Sequence, residues 1–502
     1  MSGEEHKTTP AAAHPHEDEE PTVVPDEELG LEKKGGVIGK IAGGLRNPWA
    51  QVIVIAFVCF CCPGMYNALQ GVGGGGQVDS TVNSNAQVAL LSCTAATALF
   101  IAGPLLSVLG PRNCVVVGGW TYALYSGSFL NYNKTENGAF VIASGALLGI
   151  GSAFLWVAQG SIMTSYVQEN QKGRSIAVFW FIFNIGGAIG SLISFGINMK
   201  NGDGTVTDGT YIAFMIIMLF GWALSVLICS PKHIKNKELR NEMAIDNSGL
   251  DKDSGFSFDR LKRSFVRLFK VLINWRVLCL LPLFFCANVF YSYQQNIVNG
   301  EVFNIRTRSL NGALYWIAQM FGALVMGFIL DSIPVDRRKR SIIGWVFLFV
   351  TGMAIWGGGY KYELWIEDRR DRGLGQDIDF KDGSDFLGGM FLYMFYGAYD
   401  SIWQAYCYWL MGAITNSSYV TGVLVGAYKS FQATGGAMAF RLNAVGTSWM
   451  AQFASDWGLC MGALVIALPT VVTVSMTNVV SDEEVAAETG IEVKKDDHEQ
   501  HV

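Results

Sequence analysis

Two charged residues interrupt stretches that are otherwise apolar, Asp400 and Lys429. The hydropathy pattern places them as the one acid and the one base near mid-membrane. The run carrying Asp400 ends near Gly412, and the next begins near Tyr419. At about 1.5 Å per residue, the two charges lie about 18 and 15 Å from the same surface. Matched depth on consecutive helices points to a buried ion pair. Such a pair binds a charged solute or takes up a coupling proton, because an ammonium keeps a neighbouring carboxyl ionised and its removal lets a proton on. The alternative is a static pair that fastens two helices.

Other polar residues sit in the apolar runs at helical spacing. Asn67 and Gln70 are three apart, as are Trp156 and Gln159. Asn288, Tyr291 and Gln295 follow spacings of three and four, and Asp400, Trp403 and Gln404 form a similar group. Spacings of three and four put each set on one helical face. Polar groups at membrane depth are costly and mark solute or ion paths. The alternative is that Asn and Gln bond neighbouring helices to each other.

Several chemistries are excluded. The ten cysteines lie in or at the edge of apolar runs, without the spacing or polar setting of a metal site or disulfide framework. All six histidines fall in the tails or the central loop, so no intramembrane histidine relay is expected. No catalytic constellation appears, and an enzyme is not expected. Gly73-Gly74-Gly75-Gly76 has no lysine after it and reads as a flexible turn rather than a phosphate cradle. No cofactor, metal or nucleic-acid partner is implied.

The elements that must position these residues are membrane helices. Hydrophobic residues make up 51% of the 502 and charged residues only 16%, against about 25% charged in soluble domains. Runs of about 20 apolar residues predict twelve spans, near 49–69, 86–109, 113–131, 139–163, 175–198, 210–229, 276–298, 310–331, 341–360, 386–412, 419–441 and 457–478. The chain also repeats itself. Trp49 and Trp275 are 226 positions apart, and the same shift carries Asn85 onto Asn311, Arg112 onto Arg338 and Gly118 onto Gly344. Gly186-Gly187-Ala188 recurs as Gly435-Gly436-Ala437, a shift longer by 23 that fits a polar insert at 361–385. Two similar halves of several helices suggest a duplicated transporter-type bundle. The organisation read from this is a disordered tail 1–46, a first six-helix half 47–230, a central loop 231–274, a second half 275–480 and a tail 481–502. The low-hydrophobicity, acidic ends fit disorder.

Basic residues flanking the spans set orientation. Their bias, including Lys232 to Arg276 and Arg337-Arg338-Lys339-Arg340, favours both termini in the cytosol. Asn133-Lys134-Thr135 then lies outside, as a glycosylation sequon requires, and Asn416-Ser417-Ser418 lies inside. Nothing distinguishes a plasma membrane from an internal one.

The turn Gly327-Phe328-Ile329-Leu330-Asp331, followed by Arg337 to Arg340, resembles the signature of the major facilitator superfamily. There Asp331 would pair with an arginine and cap a helix end, latching two helices; the bland alternative is a topology determinant. The first-half counterpart, Leu109-Gly110-Pro111-Arg112-Asn113, keeps Arg112 but has lost the acid. Leu155-Trp156-Val157-Ala158-Gln159-Gly160 with Phe183-Asn184-Ile185-Gly186-Gly187 and Pro63-Gly64-Met65-Tyr66-Asn67 narrow the match. Together they resemble the uncoordinated-93-like family in a fungal-type form, over roughly residues 45–480. The resemblance implies an all-α fold of two six-helix bundles whose first, fourth, seventh and tenth helices line a central cavity. Those are the helices with the polar faces above. It also implies characterised relatives linked to potassium-channel regulation or receptor trafficking, with transport presumed.

Two functions follow. The first is a secondary transporter of a small polar or cationic solute. The second is a non-transporting regulator or escort of an ion channel or membrane receptor. The lipid bilayer is the surrounding partner in both.

Overall fold

The structure is a computed structural model that describes residues 43–77, 79–167, 171–200, 205–235, 266, 269–414 and 418–474. The tails and most of the central loop predicted from sequence lie outside the described residues. The first half comprises α1 (Pro48–Gly71), α2 (Thr81–Ala102), α3 (Gly103–Thr135), α4 (Gly138–Ser165), α5 (Lys172–Ile197) and α6 (Asp208–Leu224). The second comprises α7 (Trp275–Asn299), α8 (Ile305–Leu330), α9 (Arg337–Asp371), α10 (Ser384–Ile414), α11 (Ser418–Ala444) and α12 (Trp449–Val472). Among the described residues, nine of these are long and apolar enough to cross a membrane, and α3, α10 and α11 complete the twelve.

The sequence repeat has a structural counterpart at the start of each half. Asn47 and Asn274 both cap the first helix, their side-chain oxygens accepting from Trp49 N at 2.9 Å and Arg276 N at 3.0 Å. An asparagine cap satisfies an amide that the helix leaves orphaned. Each half has its own hydrophobic core. The main packing between halves is α2 on α11 and α5 on α8.

Glycines set the close approaches. A Cβ on Gly186 would come within 2.6 Å of the Phe60 carbonyl on α1, and one on Gly435 would collide with the Phe285 carbonyl on α7. Their successors look across the boundary: Gly187 meets Trp316 of α8, and Gly436 meets Leu91 of α2. So the first glycine of each pair seats the half's own first helix, and the second touches the other half.

Several edges and one segment differ from the sequence reading. α3 is broken at Gly110, at φ +75°, and Pro111 starts its second stretch, so the turn between the second and third predicted spans falls inside it. α2 begins at Thr81 because Asp79 caps it, accepting from Thr81 N at 2.9 Å. α7 is interrupted after Cys286 and ends in a wide π-helical stretch, Tyr293–Asn299. The insert 361–385 is not a loop. Its first part extends α9 to Asp371, and its second returns as a strap in which Ile378 pairs with Phe303. A small core of Val302, Phe303, Ile366, Ile378 and Phe386 holds the strap down.

Candidate functional site

A chamber of about 180 Å³ lies between the halves. From the first half it is lined by Asn67, Gln70 and Tyr66 of α1, Gln87 of α2, Trp156 of α4 and Trp180 of α5. From the second it is lined by Asn288, Tyr291 and Gln295 of α7, Gln319 of α8, Gln404 of α10, and Lys429 and Gln432 of α11. The wall on the first-half side is a closed polar net. Tyr66 donates to Gln87 at 2.7 Å, Gln87 to the Tyr125 hydroxyl at 2.9 Å, and Asn83 to Gln70 at 3.1 Å.

Three of the predicted lining residues do not face this chamber. Trp403 is buried in the second-half core, its indole N–H donating to the Leu283 carbonyl at 3.1 Å. Gln159 turns back along its own helix to Met163 Sδ, 2.6 Å away. Asp400 is fully buried one layer behind the lining. In each case helical spacing identified a shared face correctly in outline but not which rotamer fills the core.

Asp400 and Lys429 do not form the expected ion pair; no salt bridge joins them. Asp400 instead accepts from Tyr291, from Gln319 Nε2 at 2.5 Å and from Gln404 Nε2 at 2.8 Å. Lys429 Nζ donates to Gln432 Oε1 at 3.1 Å and lies 5.3–5.8 Å from the ring centres of Trp156, Tyr408 and Tyr428. An ammonium over aromatic faces is attracted by the ring quadrupoles. Gln432 Nε2 completes a relay to Gln404 Oε1 at 3.4 Å. The two charges are thus linked through two amides: Lys429, Gln432, Gln404, Asp400. The reason is that α10 turns Asp400 toward α7 and α8, where tyrosine and glutamine donors satisfy it.

Gln432 and Gln319 were not singled out in the sequence. Gln432 had a signal, since it stands one helical turn after Lys429. Gln319 had one too, since Arg308, Asn311 and Tyr315 precede it on the same α8 face at spacings of three and four, but α8 was not among the helices expected to line the cavity. Two further acids also sit within the helices: Glu363 on α9 and Asp456 on α12 are both buried. Glu363 lies in the last third of α9 and Asp456 in the first third of α12, both toward the side away from the termini rather than at mid-helix. Both were missed because the predicted ninth span stopped short of Glu363 and the twelfth began after Asp456.

On the side away from the termini the halves are bolted together. Arg308, 1% exposed, donates to the carbonyls of Val72 at 2.7 Å, Gly73 at 2.6 Å and Gln77 at 3.3 Å. Gly74 N donates to Asn296 Oδ1 at 2.9 Å, and Asn299 Nδ2 to the Gly71 carbonyl at 2.8 Å. Ser84 reaches Asn443 at 2.7 Å. The four glycines are buried with φ of +81°, +57°, +63° and +83°. They are a packed plug, not the flexible turn expected from sequence. Among the described residues, most hydrogen bonds between halves lie on this side.

At the terminal side, Arg337 donates to the Gly412 carbonyl at 2.5 Å, at the end of α10. Arg340 donates to the carbonyls of Ile333 at 3.1 Å and Leu330 at 3.5 Å, where α8 ends near Gly327. The Asp331 side chain lies outside the described residues. Arg112 is exposed. Asn133 stands in the last turn of α3, its amide accepting from Gln77 at 2.9 Å and donating to Asp208 at 3.0 Å. In the folded chain its nitrogen faces Asp208 rather than open solvent. The Asn416 sequon lies outside the described residues.

Comparison with known proteins places this architecture. The sequence profile described as "Ion channel regulatory protein UNC-93" matches residues 84–353. UNC93-like protein 1 of Arabidopsis thaliana is 40% identical over 420 residues, 82% of this chain and 88% of its own length. An UNC93-like protein of Schizosaccharomyces pombe is 38% identical over 424 residues, 84% of this chain and 81% of its own. Among solved structures, the partially occluded inward open xylose transporter XylE from E. coli superposes with a TM-score of 0.57 at 14% identity, covering 86% of this chain and all of that one. A peptide transporter POT in complex with sulfate gives 0.55 at 14% identity, covering 89% and 98%. At this identity the likeness establishes the major facilitator fold alone.

Proposed function

The chain belongs to the UNC-93 family of multi-pass membrane proteins, and we propose that it is a secondary transporter moving a small polar or cationic solute by alternating access. The observation that carries this reading is the polar chamber between the halves, with a caged ammonium at its wall and a buried carboxylate behind it. Lys429 occupies an aromatic cage of Trp156, Tyr408 and Tyr428. A solute cation fits the same cage. Its arrival displaces Lys429, pulls Gln432 and Gln404 out of register and changes the field at Asp400. Polar neutral solutes use the amide-rich wall instead. With the basic flanks in the cytosol, the plug at Gly73–Gly76 closes the outer side, so this arrangement serves release or loading from within. The basic cluster Arg337 to Arg340 and its contacts with Gly412 and Leu330 act as the inner latch.

A second reading is favoured by the family description itself, which names ion-channel regulation. In that reading the same halves and chamber hold a partner-facing shape without moving a solute. Uptake of cations, amines and sugars into liposomes holding the purified chain, with and without a proton gradient, separates the two. Transport predicts uptake that Asp400→Asn or Lys429→Gln reduces at least tenfold. Silence toward every solute, in protein that remains monodisperse, supports the regulatory reading and calls for cross-linking to membrane partners.

A further inference from the structure

A second polar site lies inside the second half, away from the chamber. Glu363 of α9 is fully buried, and its Oε2 accepts from the Tyr293 hydroxyl at 2.6 Å. Its Oε1 has no partner, and neither has Oδ2 of buried Asp456 on α12. The Tyr396 hydroxyl of α10, also buried and unpartnered, lies within electrostatic range of both carboxyls. It points at Gly359, one turn before Glu363, where a Cβ would collide with it. The glycine is what lets the phenol reach the site.

We propose that Glu363 and Asp456 form a proton-binding site, both carboxyls carrying protons at neutral pH. An ionised carboxylate is very costly in an apolar interior unless it is paired, and such groups neutralise instead. Among the described residues no cation bonds to the open oxygen of either carboxyl. Arg370 is within range of Glu363, but its guanidinium stacks on Trp449 at 4.6 Å. The other titratable groups facing the site are phenols and thiols, with one exception. They are Tyr293 and Cys286 from α7, Tyr362 from α9 and Cys460 from α12. The exception, Glu367 of α9, repels a charge on Glu363. Gln452, one turn nearer the start of α12, also has a buried, unpartnered Oε1.

The site has a mechanical link to the chamber. Tyr291 and Tyr293 are two residues apart on α7 and so point to opposite sides. Tyr291 holds Asp400, and Tyr293 holds Glu363. Proton loss at Glu363 changes the pull on the π-helical stretch that carries Gln295 and Asn296. For its purpose, coupling, the site rests on the transporter reading; for its existence it does not.

The test is infrared difference spectroscopy of the full chain in detergent, titrated with pH. The expected result is a protonated-carboxyl stretching band at neutral pH that Glu363→Gln and Asp456→Asn each reduce and the double variant reduces further. Asp400→Asn is the reference for the chamber acid. Tyr396→Phe, should either acid variant fail to fold, is expected to shift the band rather than remove it. A band absent in the wild type, or unchanged in both acid variants and in Tyr396→Phe, overturns the proposal. So does a band erased by sodium at fixed pH, which would assign a metal-cation site. Since no solute is involved, failed uptake and a failed proton site are read apart.

Discussion

The Arg308 guanidinium donates to the Gly73 carbonyl at 2.6 Å across the boundary between the halves. The arginine belongs to α8 and the carbonyl to the end of α1, so this bond and its neighbours join helices that rocking must part. Main-chain carbonyls hold this buried charge directly, with the Glu301 carboxyl within electrostatic range. Arg308→Ala leaves the carbonyls of Val72 and Gly73 without this donor, at about 1–3 kcal/mol each. The expected outcome is a lower unfolding temperature and faster thiol labelling of a Ser80→Cys reporter. Arg308→Lys restores charge but not the planar fork, so it should fall between. Unchanged labelling in Arg308→Ala would remove the clasp from any account of opening.

Gly75 sits in the middle of the plug at φ +63°, with a Cβ position 2.7 Å from the Phe129 ring. Gly75→Ala therefore meets both backbone strain and a clash. A residue forced into such a conformation costs about 1–3 kcal/mol. The variant is expected to loosen the far-side seal, read as faster hydrogen exchange in 71–77 with little change in the second-half helices. A Gly196→Ala control meets nothing within 4 Å and should be silent.

Much of this was legible in the sequence, for reasons that differ by residue. The halves were readable because Trp49 and Trp275 stand 226 positions apart, each just after an asparagine, Asn47 or Asn274, that caps the first helix of its half. The chamber wall was readable because Asn67 with Gln70, and Asn288 with Tyr291 and Gln295, are polar at helical spacing in apolar runs. The plug was not, because glycine type announces freedom, and only the packing of Phe129, Val206 and Gln295 shows that freedom used to fit a tight space. The link between Asp400 and Lys429 was half readable. Depth follows from rise per residue, but which neighbour satisfies a carboxylate depends on helices far away in sequence, here α7 and α8.

Gln404 is the member of the relay that touches the carboxylate. Its amide donates to Asp400 at 2.8 Å and accepts from Gln432 at 3.4 Å. Gln404→Leu removes a hydrogen bond to a charged acceptor, a loss of about 1.5–3 kcal/mol. If the relay carries communication, Gln404→Leu and Lys429→Gln are non-additive in thermal unfolding, since they interrupt one network. Strict additivity would mean that the two charges act independently.

The strap at 372–383 gives a pH-dependent prediction. Burial alone would raise the Asp379 carboxyl, but hydrogen bonds from Asn304 and Arg306, with the Lys381 amide, outweigh it and hold the group below its ordinary value. A carboxyl lowered by folding contributes stability that is fully present above its unfolded value, about 3.9. That contribution is lost as pH falls through the folded value. Strap protection, read by limited proteolysis or by exchange at Ile378 N, whose partner is the Val302 carbonyl at 3.3 Å, is therefore expected to be flat from neutral pH to mildly acid. It should then fall steeply in stronger acid. Asp379→Asn keeps the shape but not the charge that Arg306 pairs with. Its strap should be less protected than the wild type at neutral pH, with the difference shrinking as acid protonates Asp379. A difference that stays constant with pH would show that packing of Phe303, Ile366 and Ile378, not the ion pair, holds the strap.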